Sequence, residues 1–579
     1  MILTDEQANA VDLFKSSHSL KISAFAGTGK TSTLTAVGKS TKKNGLYLAF
    51  NKSIAAEAST KFPRSVDCRT THSLAFRSIA SMYHGNTEKL TKSLHGNHIA
   101  QLLDIEELAV ANITLKPQSL AFLTAKTVQR FCHSGDDEIA VRHVPISGKL
   151  QMIDSKYQDE FKGYVSKLAA HLWGRMLDPA SAAPLGHDGY LKLWSLQKPR
   201  LNYDFLLLDE AQDTNEAVLS VLRNQDSHLT LVGDRHQQIY EWRGAINAMA
   251  SVQTEAEAVL TRSFRFGDSL AVAATSILRV LGETRAVIGD PNRETRIAAA
   301  GRTGTILCRT NAGVIAIVVD ALNENRRPHV VGGVDDLIRM LQDVSKLKCS
   351  IPAISPEFFG FKDWNEVVEF AKSDEGESLR SFVGIVLAYG EETLIQRLRS
   401  VSREEEKADL IVSTGHKAKG REWDSVTLSP DFEPRVNKEN PPKQVLSQEE
   451  ARLLYVAATR ARQLLVVPSG LAARWNVSPA PATPPIRIPA PSVIPAAPKN
   501  PLPELPSFAK VVKPPAEAAQ TASRPAPLPA PFITARKPTV PSVSTSQAKL
   551  SRHDTHTTRV PASQPGLISS IFSFLRGGN

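Results

Sequence analysis

Lys30 and Thr31 end the run Gly27-Thr28-Gly29-Lys30-Thr31, which follows the apolar stretch 21–26 and leads into a helix-like stretch at 32–39. Glycines let backbone N–H groups close around phosphate oxygens. The lysine then reaches the β and γ phosphates of a nucleoside triphosphate, and the threonine hydroxyl suits Mg²⁺. A second pair, Asp209 and Glu210, closes the apolar run 203–208. Asp209 suits the metal and Glu210 suits orienting an attacking water. A third apolar run, 228–232, leads into Gly233-Asp234-Arg235-His236-Gln237, with Trp242 and Arg243 a few residues on. Gln237 near the γ phosphate and Trp242 beyond it would couple hydrolysis to whatever stacks on the indole. A nucleobase fits, since stacking contributes about 1–3 kcal/mol per base whatever the sequence. A tryptophan buried in the core is the other reading.

These groups need parallel sheets to hold them, because open α/β folds bind ligands at the carboxyl edge of their strands. Lys30 and Asp209 are 179 positions apart, more than one crossover needs, so an insert is expected at 86–197. Apolar runs at 305–308, 409–412 and 464–467 predict a second sheet. The expected organisation is a first sheet domain at 1–85 and 198–255, with the helical insert at 86–197. A second sheet domain follows at 256–345 and 406–475, with a small insert at 346–405. A tail occupies 476–579.

The tail holds 21 of the 36 prolines and a net charge of +8 of the total +10, which leaves +2 for residues 1–475. Its Pro/Ala-rich composition predicts disorder. The apolar end 566–576 is a candidate docking peptide for a protein partner. A polyanion would have to meet a local groove in the folded part, not a global field. The four cysteines are far apart and form no CxxC pair, a reduced, zinc-free pattern. No leader and no run of 18 apolar residues is visible, so a cytoplasmic (nucleoid-associated) or nuclear protein is expected, neither secreted nor membrane-bound.

The order of motifs resembles the UvrD/Rep type of superfamily 1 DNA helicases over residues 1 to about 470. The residues that carry this are Leu3-Thr4-Asp5-Glu6-Gln7, the phosphate loop, Phe50-Asn51-Lys52, Thr70-Thr71-His72, Asp209-Glu210-Ala211-Gln212-Asp213, Leu260-Thr261-Arg262-Ser263-Phe264-Arg265, 412–423 and 450–461. The resemblance is closest to the F-box DNA helicases and their bacterial relatives, through 50–55, His187-Asp188-Gly189-Tyr190, His236-Gln237-Gln238, 263–267 and 416–420. With the motor starting at residue 3, no F-box and no ubiquitin-ligase role are expected.

The resemblance implies an α/β fold of two RecA-like P-loop motor domains, each with an inserted subdomain. It implies ATP and Mg²⁺ as cofactors, with Gln7 and Phe264 on adenine and Glu422 in the nucleotide site. Arg265 and Arg460 would bridge from the second domain to the γ phosphate. Asn51, Lys52, Thr71, His72, Trp242, Arg243 and His416 would contact DNA. Two departures stand out: Ala24 occupies a position where glycine is usual, and Phe50 directly precedes Asn51 where the family's stacking phenylalanine lies one residue earlier. Phe50 is either a base stacker or the buried end of a strand. The expected activity is an ATP-dependent single-stranded DNA translocase and 3′–5′ helicase in repair or recombination. The alternative is an ATP-driven displacer of DNA-bound proteins with little unwinding. A helicase–nuclease is disfavoured, because Glu504, Glu517 and Asp554 are too dispersed to hold a metal pair.

Overall fold

The computed structural model describes residues 2–92, 96–111, 113–146, 150–151, 153–240, 246–301, 303–351, 353, 355–358, 361–373, 376–436 and 444–477. Trp242, Arg243 and the tail from 478, including its candidate docking peptide, lie outside the described residues.

The chain opens with β1 (Ser19–Ala24), β2 (Gly45–Ala49) and β3 (Val66–Thr70). A short antiparallel hairpin follows, β4 (Leu108–Val110) and β5 (Ile113–Leu115). Then come β6 (Phe205–Leu208), β7 (His228–Gly233) and β8 (Ala256–Leu260). Six of these form one parallel sheet in the order β3-β2-β6-β7-β1-β8. Strands buried on both faces read as continuous apolar runs. Alternate residues serve opposite layers: Leu46, Leu48, Leu206 and Leu231 pack one side, while Leu20, Ile22, Tyr47 and Leu207 pack the other against the helices Asp5–Ser16 and Lys30–Lys39.

The second sheet uses β9 (Arg296–Ala298), β10 (Thr305–Cys308), β11 (Pro328–Val330), β12 (Leu410–Thr414), β13 (Trp423–Leu428) and β16 (Ala461–Val466). Its order is β11-β12-β10-β13-β16-β9, again parallel, with a small hairpin of β14 (Arg435–Val436) and β15 (Gln444–Val445) beside it. The two sheets are the two RecA-like domains.

Three expected boundaries are corrected by packing. Residues 256–260 were assigned to the second domain, yet β8 pairs with β1 from Leu20↔Ala256 to Ala24↔Leu260 and forms the edge of the first sheet. The chain crosses between domains only after it, because the helix Asp268–Val280 buries Leu270, Ala274 and Leu278 against Leu307, Val426 and Leu465 of the second sheet. The helix Gly186–Leu196 was placed in the first insert. Its Tyr190, Leu191 and Trp194 instead share a core with Leu46, Leu48 and Leu206 of the first sheet. Between 99 and 172 the insert has its own core, including Leu120, Phe131, Phe161 and Leu172, while Leu90 and Leu185 also join the first sheet's cluster. The second insert is not a separate body either: Trp364, Val367, Phe382 and Leu394 pack in one cluster with Ile306 and Val412. Among the described residues no helix is long and apolar enough to cross a membrane.

Candidate nucleotide site and DNA-facing edge

Gly27 and Gly29 hold φ of +77° and +79°, where a side chain strains the backbone. They also leave room for a second segment. A Cβ on Gly27 would stand 2.5 Å from Ser263 Oγ and 2.7 Å from Arg265 Cβ; on Gly29 it would stand 3.3 Å from the Phe264 ring and 3.1 Å from Gln7 Nε2. The strap after β8 thus lies over the phosphate loop, and Phe264 N–H donates to the Gly27 carbonyl at 2.8 Å. Gln7 and Phe264 meet beside Gly29, where adenine was expected. Gln7 is fixed by a capping box with Thr4, and Glu6 accepts from Thr261 N–H at 2.8 Å, tying the first helix to the strap. Ala24 is buried as the last residue of β1, outside the left-handed region, so its methyl costs the loop nothing.

Below the loop, Lys30 Nζ pairs with Glu210 Oε1 at 2.8 Å. Thr31 Oγ1 donates to Asp209 Oδ2 at 3.3 Å, and Tyr47 donates to the same oxygen at 2.6 Å. Glu210 sits at φ +51°, ψ +44°, a conformation that costs a non-glycine residue of order 1 kcal/mol or more. It is held there because its N–H donates to Asp209 Oδ1 at 2.9 Å and its carbonyl accepts from Asp213 N–H at 2.9 Å. Burial alone would push the Glu210 carboxyl up, but Lys30 and Lys419 outweigh it and hold it at about 2. Burial and the neighbouring Glu210 push Asp209 up.

The second domain supplies the opposite wall. Arg460 is buried, donates from Nη2 to Gln237 Oε1 at 3.2 Å and from Nε to the Val456 carbonyl at 2.8 Å. Burial, with Arg265 nearby, pulls its guanidinium down to about 9. Arg265 was expected on the second domain. It lies on the strap, with its backbone against Gly27, and reaches across to Glu422 Oε2 at 2.6 Å and the Thr459 carbonyl at 2.9 Å. Gln237 Nε2 donates to Asp234 Oδ2 at 2.8 Å. Lys419 bridges the domains, donating to the Asp213 carboxylate and, at 2.6 Å, to the Gln237 carbonyl.

At the carboxyl ends of β2 and β3 lie the first DNA candidates. Phe50 is 55% exposed, which removes the buried-strand reading. Asn51 caps the helix Lys52–Lys61, its Oδ1 accepting from Ile54 N–H at 2.9 Å, and Lys52 is exposed. Thr71 begins the next helix, Thr71–Ala80. His72 packs edge-on against Tyr190 (5.7 Å) and His187 (6.2 Å), with Nδ1 buried and unpaired, and burial lowers its pKa. On the second domain, the His416 carbonyl accepts from Tyr240 OH at 2.9 Å.

ATP and Mg²⁺ fit these residues. Two glycines open the cradle, a lysine and two arginines converge on it, and Thr31 with Asp209 offers the hard oxygen donors that Mg²⁺ shares with phosphates. Tyr47, Gln212, Asp234, Lys419 and Tyr455 also build the site and were not singled out. Polar groups inside apolar runs, as in Gly45-Leu46-Tyr47-Leu48 and Leu453-Leu454-Tyr455-Val456, were the available signal.

A phosphate cradle on one parallel sheet, faced by arginines that tie it to a second, defines a two-domain P-loop protein. Residues 3–256 match the family model described as the UvrD/REP helicase N-terminal domain, and 364–469 match the UvrD-like helicase C-terminal domain. The chain belongs to the UvrD/Rep helicase family. It is 32% identical over 488 residues to F-box DNA helicase 1 of Gallus gallus, covering 78% of this chain and 47% of that protein. It is 31% identical over 508 residues to F-box DNA helicase protein 1 of Schizosaccharomyces pombe, covering 80% and 57%. A 44-residue stretch is 52% identical to the ATP-dependent DNA helicase Rep of Buchnera aphidicola, covering 7% of each. The chain spans about half the length of the two F-box relatives.

Proposed function

We propose that this chain hydrolyses ATP to move along single-stranded DNA, 3′ to 5′, and to unwind duplex in DNA repair or recombination. Lys419 carries the reading, because one ammonium joins the Asp209–Asp213 carboxylate segment, the Gln237 backbone and the His416–Trp423 segment. Bound MgATP supplies the phosphoanhydride whose hydrolysis drives the cycle. Lys30 exchanges Glu210 for phosphate, which releases Glu210 Oε1 to take a proton from the attacking water. Gln7 and Phe264 hold the base. Arg265 and Arg460 place positive charge where negative charge grows, as an arginine finger does. On the DNA side, Phe50, Asn51, Lys52, Thr71, His72 and His416 hold the strand, and Trp242 and Arg243, outside the described residues, are further DNA contacts that the sequence suggests.

The test is strand displacement on 3′-tailed against 5′-tailed duplexes, with ATP turnover recorded in parallel. Stimulated turnover with displacement only from the 3′ tail supports the reading, and turnover indifferent to DNA defeats it. A second reading, displacement of DNA-bound proteins with little unwinding, is favoured by the second insert, whose described residues Trp364, Val367, Phe382 and Leu394 pack into the second domain's core. Stimulated turnover that strips a bound protein but separates no strands would select it.

A further inference from the structure

Tyr455 lies in the helix Gln448–Ala458, whose Leu454, Val456 and Ala458 pack with the second sheet. Its side chain is wholly buried, and its hydroxyl reaches out of the second domain into the first. There it accepts from Ala26 N–H, the residue before Gly27, at 3.0 Å, and it donates to Asp234 Oδ2 at 3.0 Å. Asp234 ends this reach in a branch point. Its Oδ2 also accepts from Gln237 Nε2, its Oδ1 accepts from His236 N–H at 3.0 Å, and its own N–H donates to Gln212 Oε1 at 3.1 Å. Gln212 Nε2 in turn donates to Glu210 Oε2 at 2.5 Å. One phenol oxygen therefore touches the phosphate loop directly, and is one residue, Asp234, from the Gln237–Arg460 pair and two residues, Asp234 and Gln212, from the Glu210 carboxylate.

We propose that the Tyr455 hydroxyl is a positioning group that transmits closure of the second domain to the phosphate loop and to Gln237. The proposal rests on the ATP-driven reading above. Both bonds cross between domains at 3.0 Å, and a hydrogen bond stretched by little more than half an ångström ceases to be one. Separation of the domains thus releases Ala26 and Asp234 together. Burial, with Asp234 beside it, holds the phenol well above its ordinary pKa, so it remains a donor throughout the working range.

The test uses the full chain carrying Tyr455→Phe, which keeps the ring and removes only the oxygen. Expected are DNA-stimulated kcat down about tenfold, KM for ATP and affinity for a nonhydrolysable analogue within about threefold, a melting temperature lowered by no more than a few degrees, and faster amide exchange in the peptide containing Ala26. Asp234→Asn should show the same split, and the double variant should be no worse than the poorer single, because both cut one link. Stimulated kcat within about twofold of the parent, additive losses in the double variant, or analogue affinity falling in step with kcat would each overturn the proposal. If the parent itself shows no DNA-stimulated turnover, the functional reading fails. Ala26 exchange then decides this link alone, and unchanged protection in Tyr455→Phe rejects it.

Discussion

Lys30 and Glu210 pair at 2.8 Å, yet they are assigned different tasks. Lys30→Ala should lose nucleotide affinity as well as turnover, because it removes the charge that meets phosphate. Glu210→Gln should lose turnover by about 10² or more while keeping affinity for a nonhydrolysable analogue, because the general base goes and the cradle stays. Equal weakness of both variants for the analogue would contradict these roles. Asp213 gives a pH handle. Its Oδ1 is buried without a partner, and burial pushes its carboxyl up to about 6 even though Lys419 is bound to Oδ2. The raised value means that Asp213 takes up a proton as pH falls through about 6, and the bridge to Lys419 then loses its negative end. DNA stimulation of turnover should therefore decline on the acid side of pH 6. Asp213→Asn should hold it at the low level from pH 5 to 8, which a pH series of stimulated against basal rates would show.

At the scale of elements, Asn51 serves two masters. Its Oδ1 is spent capping the helix Lys52–Lys61, so DNA would find the remaining amide N–H₂. Asn51→Ala should cost about 1 kcal/mol of stability together with DNA affinity, whereas Asn51→Asp should keep the cap and lose only the affinity. Melting curves and oligonucleotide titrations on both variants separate the two roles. The elements also show what could be read beforehand. Runs such as Thr305-Ile306-Leu307-Cys308 and 228–232 are strands as expected, because a strand covered on both faces must be apolar throughout. The phosphate loop and the Asp209-Glu210 pair were legible because their spacing is local. Sheet membership was not: 256–260 and 186–196 are assigned by partners far away in the chain, and no local pattern records which core an apolar face will meet. Tyr47 went unnoticed and Tyr455, inside 450–461, carried no role of its own for the same reason, since each looks like one more core residue until its hydroxyl is seen to reach Asp209 or Asp234.

For the whole molecule, charge and machinery are separated along the chain. Residues 1–475 carry a net of +2 and the remainder +8. Trp475 and Val477 still pack on the second domain, and Val477 N–H donates to the Ala472 carbonyl at 2.9 Å, so a truncation belongs after 477 and not before it. The shortened protein should keep DNA-stimulated turnover and show a shallower dependence of affinity on salt, because each basic residue that neutralises a single-strand phosphate contributes about 0.7 to the log–log slope. An unchanged slope, measured by titration across salt concentrations, would leave docking through Leu567–Leu575 as the better account of the tail.

The crossing between sheets has a consequence for how the chain is made. Every strand of the first sheet lies before residue 261, and every strand of the second lies after 295. A ribosome releasing this chain from its amino end completes the first sheet, with Lys30, Asp209 and Glu210 already gathered on it, while about 200 residues of the second domain and its edge are still unmade. The nascent first domain can thus fold vectorially and bear a phosphate loop before Arg460 and Tyr455 exist to govern it, so the growing polypeptide would hold nucleotide without the parts that spend it.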